Sequence, residues 1–370
     1  MSKSSKFFVG LDVHKDTIDI AIAETGDPGE VRHFGTIPGD LQSLDKAIRR
    51  IRHKGVSLHI VYEAGPCGFE IYRHLFEQGL DCIVVSPSLI PKRSGDRVKT
   101  DRRDAINLAR LHRAGELLPI YVPDPEDEAI RDLIRARTDA VHAQTRARQQ
   151  LKSFLLRHGI HYQGKSSWTL AHMRWLSEIK MPHPAQHVTF EEYIKAVDAA
   201  TQQVIRLTLH IEHLVQHWRW LPVVQALQAM RGMQVLTAST LVAEIGDLSR
   251  FEKPRQLMHF LGLTPSEYSS GATTRRGSIT KTGNTHARKA LIEAAWHYRW
   301  APYVSRSLRI RQQSQHQTVN TIAWKAQLRL NQRYKSLRAR GKCSQKAVVA
   351  VARELSAFVW AIAKQVKTLN

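Results

Sequence analysis

The residues from Phe7 to Ala23 constrain the fold of this 370-residue chain more than any other stretch. Phe7, Val9 and Leu11 alternate with Phe8, Gly10 and Asp12, and Ile18, Ile20 and Ile22 alternate with Asp19, Ala21 and Ala23. That period of two predicts two strands joined by a tight turn at His14-Lys15-Asp16. Asp12 breaks the apolar run of the first strand, where an unpaired carboxylate is expensive to bury. Two readings stand level: a metal ligand or catalytic group, or a turn residue that caps the hairpin.

The elements that follow continue a sheet. Val31–Ile37 reads as a third strand, and Pro38-Gly39-Asp40 opens a helix with Leu41, Leu44, Ile48 and Ile51 on one face, stopped at Gly55. Val56–Tyr62 is a fourth strand ending at Glu63-Ala64-Gly65-Pro66. A helix follows through Phe69, Tyr72, Leu75 and Phe76 to Gly79, and Asp81–Val85 is a fifth strand. The stretch Val98–Ala105 begins a helix that runs through Leu108 and Leu111 to Gly115. Three strands that can pair as antiparallel hairpins, then strands that need helical crossovers, is the order of an RNase H-like α/β sheet.

Asp101 and Asp104 lie three apart, so both carboxylates face the same side of that helix's first turn. Acids at a helix start also complement its dipole, and this alone would explain the pair. It does not explain why they follow Asp12 in a strand and Glu63 at a strand's end. Four such carboxylates can converge at one edge of the sheet and hold two Mg²⁺ ions roughly 4 Å apart for phosphodiester chemistry.

A formal charge of +22 asks for a polyanionic partner, and nucleic acid is the natural one. From Gly271 to Ala350 there are seventeen Lys and Arg against Glu293 alone, which is +16 of the total. Arg275, Arg276, Lys281, Arg288 and Lys289 open that stretch as candidates to grip a nucleic-acid backbone. No run approaches 18 apolar residues and no apolar signal core opens the chain, so a cytoplasmic protein with no membrane partner is expected. Cys67, Cys82 and Cys343 are scattered and give neither a zinc nor a disulfide signal.

The middle of the chain is helical. Pro125–Glu128 starts a long helix ending near His158-Gly159. Thr189-Phe190-Glu191-Glu192 reads as a capping box, and from Phe190 to Trp218 apolar residues recur at spacings of three and four. That is the pattern of a coiled coil, folded back within the chain or paired between subunits. His210, His213 and His217 fall beside the seam, where polar residues ordinarily flank it, and a metal site there lacks the orienting acids. Beyond Leu221, Met230-Arg231-Gly232-Met233 lies between two helices. Such hairpins often set backbone amides against a phosphate, but only one of the expected glycines is present. Leu263–Gly277 then reads as a polar loop bounded by glycines.

Gly10-Leu11-Asp12-Val13-His14-Lys15, Tyr62-Glu63-Ala64-Gly65, Lys99-Thr100-Asp101-Arg102-Arg103-Asp104-Ala105 and Gly262-Leu263-Thr264-Pro265 with Ser269-Ser270-Gly271 form a set. Together, and in this order across nearly the whole chain, they resemble the motifs of the DEDD-type insertion-sequence transposases. The resemblance implies a RuvC-like domain over 1–122, a coiled coil over 123–220 and a mainly α C-terminal transposase domain over 221–370. It implies that Asp12, Glu63, Asp101 and Asp104 bind Mg²⁺ and that a serine becomes covalently linked to DNA. Ser270 matches by its position before Gly271, with Ser269 beside it as the other choice. It further implies a dimer or tetramer in which the acidic site of one subunit works with the serine of another. A structured guide RNA from the element would bridge target and donor DNA.

Other functions compete. A junction resolvase or simple nuclease would use the same acids with water as nucleophile, and a DNA invertase of the same family would differ only in its substrate sites. A serine hydroxyl is a poor nucleophile unless its proton affinity falls. No histidine base lies in the loop, which leaves a bound metal, Arg275 or Arg276 to lower it; otherwise Ser269 and Ser270 are ordinary turn residues. An actin-like kinase would need glycine and hydroxyl residues where this chain has His14-Lys15-Asp16. A non-enzymatic binder explains the basic stretch but not the four acids.

Overall fold

The computed structural model describes residues 5–25, 31–52, 56–91, 100–270 and 273–366. Gly55, Val98, Lys99 and Gly271, which figure in the expectations above, lie outside the described residues. The chain divides into two compact units, Met1–Val122 and Pro123–Asn370.

The first unit is built on one sheet. Its strands are β1 (Ser5–Val13), β2 (Thr17–Glu24), β3 (Val31–Pro38), β4 (Val56–Glu63) and β5 (Asp81–Val85), in the order β3-β2-β1-β4-β5. β1 pairs antiparallel with β2, and β2 with β3; β4 runs parallel to β1, and β5 to β4. The two parallel pairs need crossovers, and the helices α1 (Leu41–Ile51) and α2 (Glu70–Glu77) fall in those connections. Asp40 caps α1, accepting a hydrogen bond from the Ser43 amide at 2.8 Å.

The alternation in β1 sorts its side chains between two cores. Phe7, Val9 and Leu11 join Ile18, Ile20 and Ile22 against Leu44, Ile48, Ile51 and Leu75 of α1 and α2. The opposite face receives α3 (Asp101–Arg113). Small residues make that contact close: Ala21 and Ala23 of the sheet pack on Ala105 and Ala109 of α3. Gly10 makes it closer still, because a Cβ there would lie 2.4 Å from the Ala105 carbonyl oxygen and 2.5 Å from the Ala109 nitrogen.

The second unit is mainly helical. Its longest helices are α4 (Pro125–Arg157) and α6 (Pro184–Leu214), with α5 (Leu170–Glu178) between them. The heptad seam of α6 closes on α4 of the same chain, antiparallel. The polar residues that interrupt the α4 pattern are matched across the seam: Arg137 Nε donates to Thr208 Oγ1 at 2.7 Å and Gln144 Nε2 to Thr201 Oγ1 at 2.9 Å. Leu151, Phe154, Phe190 and Val197 fill one end, and Ile130, Ile134, Ile211 and Trp218 the other. The start of α6 differs from the expected capping box at Thr189. The helix begins at Pro184, whose fixed φ suits a first turn, and His183 and Gln186 cap it reciprocally. Thr189 sits inside the helix, with Oγ1 donating to the Ala185 carbonyl.

The remaining helices are α7 (Leu221–Leu227), α8 (Val235–Ile245), α9 (Pro254–Phe260), α10 (Thr285–Ala295), α11 (Arg306–Gln313), α12 (Gln317–Ala339) and α13 (Ser344–Ala363); α8 packs on α4 and α6, and α13 on α7, α9, α10 and α12. Buried residues of α4 and α6 share one continuous core with α7, α8, α10, α12 and α13. The stretch expected as a polar loop is instead a two-stranded ribbon, β6 (Pro265–Ser270) and β7 (Thr273–Ile279). Tyr268, Thr273 and Thr274 favour extended backbone, and a ribbon exposed on both faces carries no apolar alternation to announce it. No helix among the described residues is long and apolar enough to cross a membrane.

Candidate active site

Asp12 is carried to the end of the central strand, where the alternation places it on the α3 face beside Gly10. Because Gly10 admits the α3 backbone, the first turn of that helix lies over the same strand end. Thr100 caps it through the Arg103 amide, and Asp101 and Asp104 stand in its first turn. Glu63 ends β4, directly after Tyr62, which is the register partner of Leu11. The loop beyond Glu63 returns to β1, where Cys67 Sγ lies 3.9 Å from the Val13 carbonyl oxygen.

Among the described residues, Asp12, His14 and Asp101 form the one group with ligand atoms within 4.8 Å of one another. His14 Nε2 is 3.3 Å from Asp12 Oδ2 and 3.4 Å from Asp101 Oδ1. Burial pushes the Asp12 carboxyl above its ordinary value; His14 opposes the rise, and Asp104 and Asp101 add to it. Asp104 therefore shares the field at Asp12, while Glu63 and Asp104 stand outside the tight group. His14 is the member that sequence reasoning took only for a turn residue. Its position two residues after Asp12, in a turn closed by His14 N–H donating to the Thr17 carbonyl, was the available signal. Asp19, the cross-strand partner of Asp12, is buried and committed elsewhere: its Oδ1 bonds His33 at 2.8 Å and Thr36 at 3.0 Å.

The donor set fits a hard divalent cation in part. Two carboxylates converge and a third acid raises the proton affinity of the most buried one, a strain that positive charge relieves. His14 Nε2 stands between the two carboxylates, where a neutral imidazole nitrogen would be a third ligand atom for the same ion. The tempting His210, His213 and His217 are exposed, and they form no such group among the described residues.

The second set of candidate residues belongs to the other unit. Ser269 and Ser270 lie at the end of β6, exposed. Register pairs put Tyr268 opposite Arg275 and Ser270 opposite Thr273, all on one face, while Glu267, Ser269, Thr274 and Arg276 share the other. Ser269 Oγ donates to Glu267 Oε1 at 2.8 Å, and Arg276 Nε reaches Glu267 Oε2 at 3.3 Å. Those two contacts, the Ser269 hydrogen bond first, hold the Glu267 carboxyl below its usual value.

A family model described as "Transposase" of the DEDD IS110 type matches residues 9–160, and one described as "Transposase IS116/IS110/IS902 family" matches residues 224–308. The chain is 47% identical over 360 residues to a protein named as a transposase, y4qE of Sinorhizobium fredii, covering 97% of this chain and 89% of that one. It is 32% identical to the transposase for insertion sequence element IS1533 of Leptospira borgpetersenii, over 91% of this chain and 98% of that protein. It is 24% identical to the pilin gene-inverting protein of Moraxella bovis, over 79% and 82% of the two chains. This chain belongs to the IS116/IS110/IS902 transposase family.

The transposase family cuts and rejoins DNA. In this transposase the first family match spans all four acids, and the second spans the β6–β7 ribbon and its base. Of the expected backbone-gripping residues, Arg275, Arg276, Lys281 and Lys289 are exposed. Arg288 is not available for that work. It is 9% exposed, its Nη1 donating to the Leu261 and Thr282 carbonyls at 3.0 and 2.9 Å. It braces the base of the ribbon, where Gly262 and Gly283 both take positive φ and a Cβ on Gly283 would lie 1.9 Å from the Phe260 carbonyl oxygen. Asn284 completes that base, capping α10 through the Ala287 amide and donating to Glu244 Oε2 at 2.6 Å.

Proposed function

We propose that this transposase cuts and rejoins DNA through a covalent phosphoserine intermediate, with Asp12, Glu63, Asp101 and Asp104 holding Mg²⁺. The observation that carries the reading is the convergence of Asp12 and Asp101, from separate elements, on one strand end with Asp104 in the same field. The strand order β3-β2-β1-β4-β5, with three antiparallel strands followed by two parallel ones, supports an RNase H-like, RuvC-like assignment. A divalent cation held by those carboxylates would polarise the phosphoryl group and offset charge on the departing oxygen.

Ser270 is the proposed nucleophile. Its hydroxyl has no hydrogen-bond partner among the described residues, whereas that of Ser269 is engaged by Glu267. Ser270 Oγ bonds to phosphorus as the P–O bond to the leaving strand breaks; the serine gives up its proton and the leaving oxygen becomes a hydroxyl. Attack by a strand hydroxyl reverses this and frees the serine, so the bond energy is conserved. Arg275, on the same face of the ribbon, is placed to offset the phosphate charge.

The same reading includes donor and target DNA, a structured RNA that bridges them, and an assembly of two or four copies. The exposed cations Arg275, Arg276, Lys281 and Lys289 support the polyanionic partners. A hydrolytic nuclease using water on the same acids is the second reading, favoured by the carboxylate cluster alone. Likeness to the pilin gene-inverting protein favours inversion as a variant of the same chemistry.

Incubating the protein with Mg²⁺, the RNA and a labelled suicide DNA substrate should trap an adduct that survives denaturing electrophoresis. Ser270→Ala should lose it and Ser269→Ala should keep it. Loss with Ser269→Ala alone moves the nucleophile by one residue, and cleavage by the wild type without an adduct makes the protein a hydrolase.

A further inference from the structure

A cavity of about 500 Å³ opens in the second unit, between the α7–α8 turn and the segment running from Tyr303 into α11. Its size falls within the roughly 300–1,000 Å³ typical of small-ligand sites. Its walls are tied together. Arg231 Nη1 donates to the Ala301 carbonyl at 2.7 Å, and Arg311 Nε and Gln312 Nε2 donate to the Gln228 and Ala229 carbonyls at 3.0 and 2.9 Å. The Tyr303 amide donates to Gln327 Oε1 at 3.0 Å, which pins that side to α12.

The lining is suited to a phosphate. Arg231 and Arg311 each commit one guanidinium nitrogen to those carbonyls and line the cavity with Ser305 and Ser307. The first turn of α8 enters the lining at Leu236 and Thr237, and Gln234 caps that helix without a side-chain hydrogen bond. Amides of an uncapped first turn and two guanidinium groups are a strong combination for one anionic oxygen cluster. Glu293, the single acid of the basic stretch, also lines the space and offers an acceptor for a ribose hydroxyl or a base amino group.

The lining is also suited to a base. Tyr303 lines the cavity and is 66% exposed, and Trp300 nearby is 58% exposed with the Arg299 guanidinium 4.8 Å from its ring centroid. Exposed aromatic rings beside cationic groups are how proteins hold bases that have left the stack. A stacked duplex offers phosphates but no free base face.

We propose that this cavity seats a single unpaired nucleotide of the bound nucleic acid. Its phosphate meets Arg231, Arg311 and the α8 amides, and its base lies on Tyr303. The proposal rests on the nucleic-acid reading above and adds to it a preference for unpaired structure.

The test uses the full chain and labelled duplexes, in DNA and RNA versions. One form is blunt, one carries a single-nucleotide bulge, and one carries an abasic bulge. The bulged form should bind on the order of tenfold tighter than the blunt form. Tyr303→Ala and the abasic bulge should each abolish the difference, and Tyr303→Trp should keep it. A neutral methylphosphonate at the bulge should also lose it in the DNA version. The DNA and RNA arms identify which polymer supplies the nucleotide. A wild type that binds duplex with no bulge preference, or a preference that survives Tyr303→Ala, overturns the proposal. A wild type that binds none of the duplexes instead overturns the broader nucleic-acid reading.

Discussion

Gly10 of β1 and Ala105 of α3 meet backbone to backbone, so closely that a Cβ on Gly10 would lie 2.4 Å from the Ala105 carbonyl oxygen. That approach sets the height of the α3 first turn over the strand end that carries Asp12. Gly10→Val should therefore push α3 away and separate Asp101 and Asp104 from Asp12. A loss of about 1–3 kcal/mol in denaturant unfolding is expected from overpacking, together with loss of DNA cleavage. Wild-type stability and cleavage in this variant would show that the close approach does not position the acids.

Asp12 is held protonation-prone by burial and by Asp104 and Asp101, so without a cation its charge works against the fold. Asp12→Asn should leave the metal-free protein as stable as the wild type or slightly more so, while cleavage falls by at least about a hundredfold. Thermal unfolding in chelator, read beside a cleavage assay, separates the two effects.

Glu244 is fully buried at its side chain, where Arg135 grips it in a fork at 2.8 Å per bond and Asn284 donates at 2.6 Å. Burial pushes its carboxyl up, and the hydrogen bonds from Arg135 and Asn284 outweigh that, leaving it below its ordinary value of 4.5. A depressed carboxyl favours the folded state above its unfolded value, and the contribution is lost as pH falls below about 4.5 through the folded value. Glu244→Ala should flatten that acid limb. It should also lower stability by about 2–3 kcal/mol, less than the roughly 3–5 kcal/mol for a fully buried pair because Arg135 is 40% exposed and keeps access to water. An unchanged acid limb would mean that another group governs it.

Asp127, in the first turn of α4, ties that helix to the segment that follows α6. It is 2% exposed and accepts from the indole nitrogens of Trp218 at 2.8 Å and Trp220 at 3.1 Å, with Arg219 also in contact. Asp127→Ala strands two buried indole donors and should destabilise the second unit by about 2–4 kcal/mol. Ile211→Asp, on the seam, should do as much by charging a residue that is 1% exposed. Both effects should be independent of protein concentration, because the seam closes within one chain; a concentration-dependent midpoint would place it between copies.

The sheet was legible because β-strand alternation is local. The period of two from Phe7 to Ala23 already divides the residues between the α1 and α3 faces, and Asp12 falls on the α3 side by parity alone. The β6–β7 ribbon was not legible. Exposed on both faces, it has no apolar period, and the brace at its base comes from Arg288 of α10 through the Leu261 and Thr282 carbonyls. Arg288 itself misled for the same reason: charge predicts exposure until a tertiary fold offers carbonyls to satisfy it.

The sequence by itself determined the strand pattern of the first unit, the long helices and the candidate acids, since periodicity and spacing along the chain encode each of them. Only tertiary structure decided which of those acids crowd together and what joins them. The heptads of α6 likewise specify an apolar seam but not its partner, and α4 of the same chain takes that place by matching Thr201 and Thr208 with Gln144 and Arg137. The entry of His14 between Asp12 and Asp101 has the same origin. Side chains from a turn and a helix about ninety residues apart in sequence meet only because Gly10 lets the helix settle onto the strand. Such distances in three dimensions depend on packing across the sheet, which no local pattern carries.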